Sequence, residues 1–172
     1  MKAQVLNRKQ FLQGQLKGEL PVRPPWSIEE AQFIEACTRC FKCAEACPSN
    51  LIVKSSNALA GGFPELSFLR HGCDYCEACV QACPEPAMSL TQSNHASPWH
   101  QQAQIDSKCF AEQGIVCRSC GEVCEVSAID FKLVVGGLCQ VNINTAACNG
   151  CGECVHVCPA HAINIRREIN HE

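Results

Sequence analysis

The chain has 172 residues, 17 of them cysteine, and a formal net charge of −3. Cysteine at one residue in ten marks either a disulfide scaffold or a metal protein. The cysteines cluster in runs, their number is odd and no secretion signal is evident, which excludes the scaffold. There is no long basic run and there are few aromatics, so no nucleic-acid partner is expected. No apolar run reaches the roughly 20 residues of a membrane helix, so no membrane insertion is expected either.

Residues 1–26 read as a polar arm followed by a Pro-rich linker at Pro21, Pro24 and Pro25. The stretch Asn7-Arg8-Lys9-Gln10-Phe11-Leu12 resembles a twin-arginine export signal, but Lys9 replaces the second arginine. The residues that follow include Gln13, Gln15, Lys17 and Glu19 instead of an apolar segment, so the arm is read as solvated. Ser27 with Glu30 reads as a capping box opening a helix that carries Ala31, Phe33 and Ile34 toward Cys37.

Cys37, Cys40, Cys43 and Cys47 then follow at gaps of two, two and three residues, and Pro48 closes the run. This is the bacterial ferredoxin spacing for a 4Fe–4S cluster. Three thiolates on one tight loop can cap three corners of a cube, while the fourth points elsewhere. Leu51-Ile52-Val53 and Phe63 to Phe68 read as short strands on either side of a Gly61-Gly62 turn. The pattern recurs at Cys73, Cys76, Cys79, Cys83 and Pro84, with Ala87 to Leu90 as a strand behind it.

Residues 91–102 are polar and read as the connection between halves. In the second half Ala103 to Ile105 is a strand that leads to Cys109, Cys117, Cys120 and Cys124. Here the first gap is seven residues, and Glu125 stands in place of the proline. Strands at Ala128 to Phe131 and Gln140 to Ile143 flank a Gly136-Gly137 turn. Cys148, Cys151, Cys154, Cys158 and Pro159 complete the fourth motif, and Ala162 to Ile165 is the last strand. Gly150 and Gly152 suit a loop that wraps a cluster closely.

The repeat organises the chain. The expected fold is α+β, with two ferredoxin-like modules of short helices, short antiparallel strands and cluster-binding loops, over residues 27–95 and 96–172. In such modules the fourth cysteine of one motif ligates the cluster of the other. Cys37, Cys40, Cys43 and Cys83 are thus expected to hold one cluster, and Cys73, Cys76, Cys79 and Cys47 a second. Cys109, Cys117, Cys120 and Cys158 would hold the third, and Cys148, Cys151, Cys154 and Cys124 the fourth. Sixteen cysteines are thereby iron ligands and Cys139 is left as a buried free thiol.

Zinc is the chemical rival, but structural zinc sites favour two separated cysteine pairs over triplets. His156 lies inside the fourth motif, where cysteine already supplies every ligand, and reads as a surface or supporting residue. No nucleophile–base pair, phosphate loop or paired carboxylates stand out, so no enzyme is expected. With thiolate-ligated clusters bound, the net charge would fall to roughly −11. A small core of this kind needs staples, so clusters and folding should be coupled.

Arg23-Pro24-Pro25-Trp26, Cys37-Thr38-Arg39-Cys40, the stretched third motif, Cys148-Asn149-Gly150-Cys151-Gly152 and the basic start around Asn7 to Leu12 together resemble the NapF-type ferredoxins, over nearly the whole chain. These proteins are encoded with periplasmic nitrate reductases in bacteria. The resemblance implies that the sixteen cysteines are cluster ligands and that the location is cytoplasmic. It also implies a partner, the precursor of the catalytic subunit of periplasmic nitrate reductase, matured with the protein's help before export. Spacing alone speaks only for the clusters. Two other functions compete: an electron carrier or electron-transfer subunit of an oxidoreductase, and a binding module in which the iron is structural.

Overall fold

In the computed structural model, residues 21–55, 61–91 and 101–167 are described. The arm, including Asn7 to Leu12, lies outside the described residues. Among the described residues five short helices and six short strands alternate with cysteine-bearing loops. They are α1 (Glu30–Ala36), α2 (Lys42–Glu45), β1 (Ile52–Lys54), β2 (Pro64–Leu66), α3 (Ala78–Gln81), β3 (Gln101–Ile105), α4 (Ser119–Glu122), β4 (Ile129–Leu133), β5 (Cys139–Ile143), α5 (Glu153–His156) and β6 (Ile163–Arg167). The strands form three two-stranded antiparallel sheets, β1 with β2, β3 with β6 and β4 with β5.

The second half follows the expected order of strand, motif, strand, strand, motif, strand. Its ends are tied by β3 and β6, paired from Gln101–Arg167 to Ile105–Ile163. β3 thus starts within the stretch expected to be a linker. The inner pair β4–β5 runs from Ile129–Ile143 to Leu133–Cys139. Gly136 and Gly137 close it with φ of 95° and 76°, values that suit glycine at a tight hairpin turn.

The first half has the inner pair, with Ile52 opposite Leu66. Its outer pair is reduced to a single bridge, Ser27 to Met88, where a strand over Ala87 to Leu90 was expected. Pro24, Pro25, Pro84 and Pro86 flank that bridge and offer no N–H to extend a ladder.

The start of this half differs from expectation in two ways. Residues 21–26 are packed onto the fold rather than spanning it as a linker: Pro24 is fully buried, Arg23 is 5% exposed, and the Leu66 N–H donates to the Val22 carbonyl. Ser27 does not cap the helix. Its hydroxyl donates to the Pro24 carbonyl, and the N-cap is Glu29, whose carboxylate accepts from the Ala31 N–H. Glu30 cannot serve a capping box because it is held by Arg23.

A continuous core runs through the molecule, with Phe33, Leu51, Phe63, Phe68 and Met88 in the first half and Ala103, Ile129, Val141, Ile163 and Ile165 in the second. Among the described residues an apolar group stays outside at the β4–β5 hairpin. At the tip of the β4–β5 hairpin Leu133 is 79% exposed and Val135 fully so, and Leu138 leans onto Gly114. Ile115 and the almost fully exposed Val116, both within the stretched gap of the third motif, follow directly in sequence.

Candidate iron–sulfur centres

Each motif places its third cysteine inside a single helical turn, and these four cysteines (Cys43, Cys79, Cys120 and Cys154) are all buried. In three motifs the backbone before that turn is left-handed twice, once in each gap. The pairs are Arg39 and Phe41, Tyr75 and Glu77, and Gly150 and Gly152. Such a φ costs a non-glycine residue roughly 1 kcal/mol or more, so the geometry is imposed by its surroundings. It turns backbone N–H groups onto sulfur. Cys37 receives one from Arg39, Cys73 from Tyr75, Cys76 from Ala78 and Cys151 from Glu153. The third motif, with its long first gap, departs from this rule, and Arg118 has φ −138°.

After the fourth cysteine a left-handed residue, Asn50, Ser127 or His161, turns three of the motifs back toward the core. In two of them the next amide donates to the fourth sulfur: Ala128 N–H to Cys124 at 3.2 Å and Ala162 N–H to Cys158 at 3.3 Å. Proline cannot adopt a positive φ, and the second motif has Pro86 at that place.

The sixteen motif cysteines surround four cavities of similar size. Cys37, Cys40, Cys43 and Cys83 face the first, with Phe41, Ala87 and Met88. Cys73, Cys76, Cys79 and Cys47 face the second, with Trp26, Leu51 and Ile52. Cys109, Cys117, Cys120 and Cys158 face the third, with Ile105, Phe131 and Ile163. Cys148, Cys151, Cys154 and Cys124 face the fourth, with Ala103, Ile129 and Ile165. The fourth cysteine of every motif has therefore crossed to its neighbour's cavity. The seven-residue gap in the third motif bulges outward, and both cysteines at its ends still face one hollow.

Donor chemistry and shape fit a 4Fe–4S cube. Soft thiolates suit iron–sulfur clusters. The thiols ring a hollow with apolar walls, whereas a zinc ion draws four sulfurs to about 2.3 Å from one point. Among the described residues no three Cys, His, Asp or Glu side chains converge closely enough to hold a single ion.

Electrostatics point the same way. Desolvation pushes the Cys43 and Cys120 thiols up to about 11, and Cys73, Cys79 and Cys154 up to about 12, with neighbouring thiolates adding to the rise in each case. Burial raises Cys37 and Cys151 too. Four such thiols do not ionise side by side unless positive iron offsets their charge, so loading a site releases protons.

Cys139 stands apart at the start of β5, half-buried and outside all four cavities. His156 is half-buried on α5. Its Nδ1 lies 3.5 Å from Glu153 Oε2 without hydrogen-bond geometry, and its ring is 6.1 Å from that of His71. Sequence reasoning missed the loop of residues 68–75, which meets the fourth motif. The Cys73 N–H donates to the Cys151 carbonyl at 2.7 Å, the Gly72 N–H to Glu153 Oε1 at 2.9 Å and the Tyr75 hydroxyl to the Asn149 carbonyl at 2.7 Å. The only available signal was Gly72 itself, whose missing side chain leaves room for that contact.

A family model described as a 4Fe-4S dicluster domain matches residues 36–110 and again residues 114–162. A ferredoxin-type protein NapF of Escherichia coli is 42% identical over 142 residues, covering 83% of this chain and 82% of the relative. A ferredoxin-type protein NapF of Haemophilus influenzae is 38% identical over 176 aligned positions, covering 96% of each chain. A ferredoxin-type protein NapG of Haemophilus influenzae is 28% identical over 81% of this chain and 55% of its own length. Four thiol-lined cavities, two matched dicluster domains and these relatives agree, and the chain belongs to the NapF family of ferredoxin-type iron–sulfur proteins, binding four 4Fe–4S clusters.

Proposed function

We propose that the sixteen motif cysteines are the iron ligands, grouped as the four cavities group them, and that the protein is a cytoplasmic accessory factor. Two ferredoxin-like modules would present it to the precursor of the catalytic subunit of periplasmic nitrate reductase, to help that subunit mature before export. The sites supply one-electron iron–sulfur chemistry when loaded, tuned by the backbone N–H groups aimed at sulfur. The partner is the one that NapF-type resemblance implies. The observation that carries partner binding is the apolar surface beside the third site, where Leu133, Val135 and Val116 stand in water. Exposed apolar surface gathered in one place is what a protein contact covers. Among the described residues no helix is long and apolar enough to cross a membrane, which is compatible with this location.

A plain electron-transfer subunit is the second reading, favoured by the direct contact between Cys73 and Cys151 of different sites. Capture from anaerobically grown cells separates the two. The tagged protein is expected to recover the nitrate reductase precursor, still carrying its export signal and short of iron. A Leu133→Asp/Val135→Asp variant with full cluster absorbance should recover much less. Recovery of a quinol-oxidising complex with complete clusters, by wild type and variant alike, would overturn the maturation reading and leave the electron-transfer one.

A further inference from the structure

The two halves meet through loops that carry cysteines of two different sites. The second site's loop enters at Phe68 to Tyr75, and the fourth site's loop receives it at Asn149 to Glu153. Three hydrogen bonds span the contact: from the Cys73 N–H, the Gly72 N–H and the Tyr75 hydroxyl. Packing is equally close. Gly72 is buried, and a Cβ there would lie 2.6 Å from the Glu153 nitrogen and 2.9 Å from the Cys151 oxygen. Across the same contact the Phe68 ring, 7% exposed, lies so tightly on Gly152 that any side chain there would overlap it. Tyr75 is backed by Trp26 in an edge-on contact, so the entering loop is itself held from behind.

Within each half the helical turns that carry the third cysteines pack together: α2 with Cys43 against α3 with Cys79, and α4 with Cys120 against α5 with Cys154. Adjacency therefore runs from first to second, from second to fourth and from fourth to third.

We propose that the contact of residues 68–75 with residues 149–153 is a fixed seam that holds the second and fourth sites side by side. The four sites then stand in one row, with the Cys37 and Cys109 sets at the ends, rather than as two independent pairs on a flexible link. Gly72, Glu153 and Tyr75 are positioning residues of that row. A row gives the Cys37 set and the Cys109 set a continuous neighbourhood of sites between them, which two tethered pairs would lack. The inference rests on the assignment of the sixteen cysteines to four clusters.

Gly72 supplies the test. Its φ is not among the positive ones, so alanine fits its backbone, and the atoms nearest the new methyl group belong to the other half. The clustered protein and its Gly72→Ala variant are compared by iron content, hydrogen–deuterium exchange of the Cys73 amide and the spin coupling of the dithionite-reduced protein by electron paramagnetic resonance. The expected result is unchanged iron, Cys73 exchange at least about tenfold faster in the variant, and loss of part of the coupling between clusters. A Glu153→Ala/Tyr75→Phe variant, which removes two of the three bonds without a wedge, should shift exchange in the same direction. Equal exchange and equal coupling in wild type and variants would overturn the seam. Iron short of four clusters in the wild type, with Cys73 protected, would overturn the ligand assignment and leave the seam standing.

Discussion

Arg23 and Glu30 meet at 2.7 Å, with both side chains largely withdrawn from solvent. The guanidinium also donates to the Pro64 carbonyl at 2.9 Å and lies over the rings of Phe33 and Phe63. One residue thus ties the incoming chain to α1 and to β2. Removing one partner of a buried ion pair is costly because the other charge stays buried. Arg23→Ala is expected to destabilise the clustered protein by about 3 kcal/mol. Anaerobic guanidinium denaturation followed by circular dichroism measures it; a loss under about 1 kcal/mol would mean that the pair is solvated.

The crossed placement of the fourth cysteines makes an unusual genetic prediction. Cys83 belongs to the second motif but faces the first cavity with Cys37. Cys83→Ser should therefore alter the same cluster signal as Cys40→Ser, and a different one from Cys76→Ser. Each variant should lose about a quarter of the iron or retain one three-iron cluster. Matching spectra for Cys83→Ser and Cys76→Ser would place both in one site and refute the crossing.

Removing the iron should unfold most of the chain. Two-stranded sheets are marginal alone, and among the described residues all three sheets are two-stranded. The helices that carry the third cysteines have four residues each, far below what stands alone in water. Anaerobic chelation is expected to abolish native far-ultraviolet circular dichroism together with the cluster absorbance. A native-like spectrum after chelation would show a self-sufficient core.

Cys139→Ala should leave the iron content unchanged and cost under about 1 kcal/mol, since the thiol is half-buried and faces none of the four cavities. Its sulfur makes one weak contact, 3.9 Å to the Gln140 carbonyl. Iron analysis of the purified variant decides the point, and a missing cluster would make Cys139 a ligand.

A deletion tests the polar arm. Deleting residues 2–20 keeps Val22 and Arg23 in place, and should preserve cluster absorbance while weakening capture of the nitrate reductase precursor. Undiminished capture would exclude the arm from docking.

The grouping of the cysteines around four cavities was legible because ferredoxin-type spacing is a rigid local pattern. Cysteine gaps of two and three residues located all four cavities, including the crossing of Cys47, Cys83, Cys124 and Cys158. Strand pairs with alternating apolar residues, such as Ile129 to Phe131 against Val141 to Ile143, were legible for the same local reason. Contacts made by single residues over long separations were not. Arg23 on Pro64 and Gly72 on Glu153 leave no periodic mark. Ser27 carried a capping signature that tertiary structure overrode, because Arg23 took Glu30 away. The left-handed turns were visible in the fourth motif, where Gly150 and Gly152 occupy them, and hidden in the first two, where Arg39, Phe41, Tyr75 and Glu77 do.

The pairing of β3 with β6 has a consequence for the newly made chain. It joins Gln101 to Arg167, so the second half cannot close until Arg167 has left the ribosome. The first half closes earlier, through the Ser27–Met88 bridge and the Ser89 N–H, which donates to the Trp26 carbonyl. Chains fold from the N-terminal end as they emerge. The first two sites can therefore be shaped, and take up iron, while the third and fourth are still being synthesised. A half-finished chain would already present the Phe68 to Tyr75 surface, waiting for the loop at Cys151 to arrive.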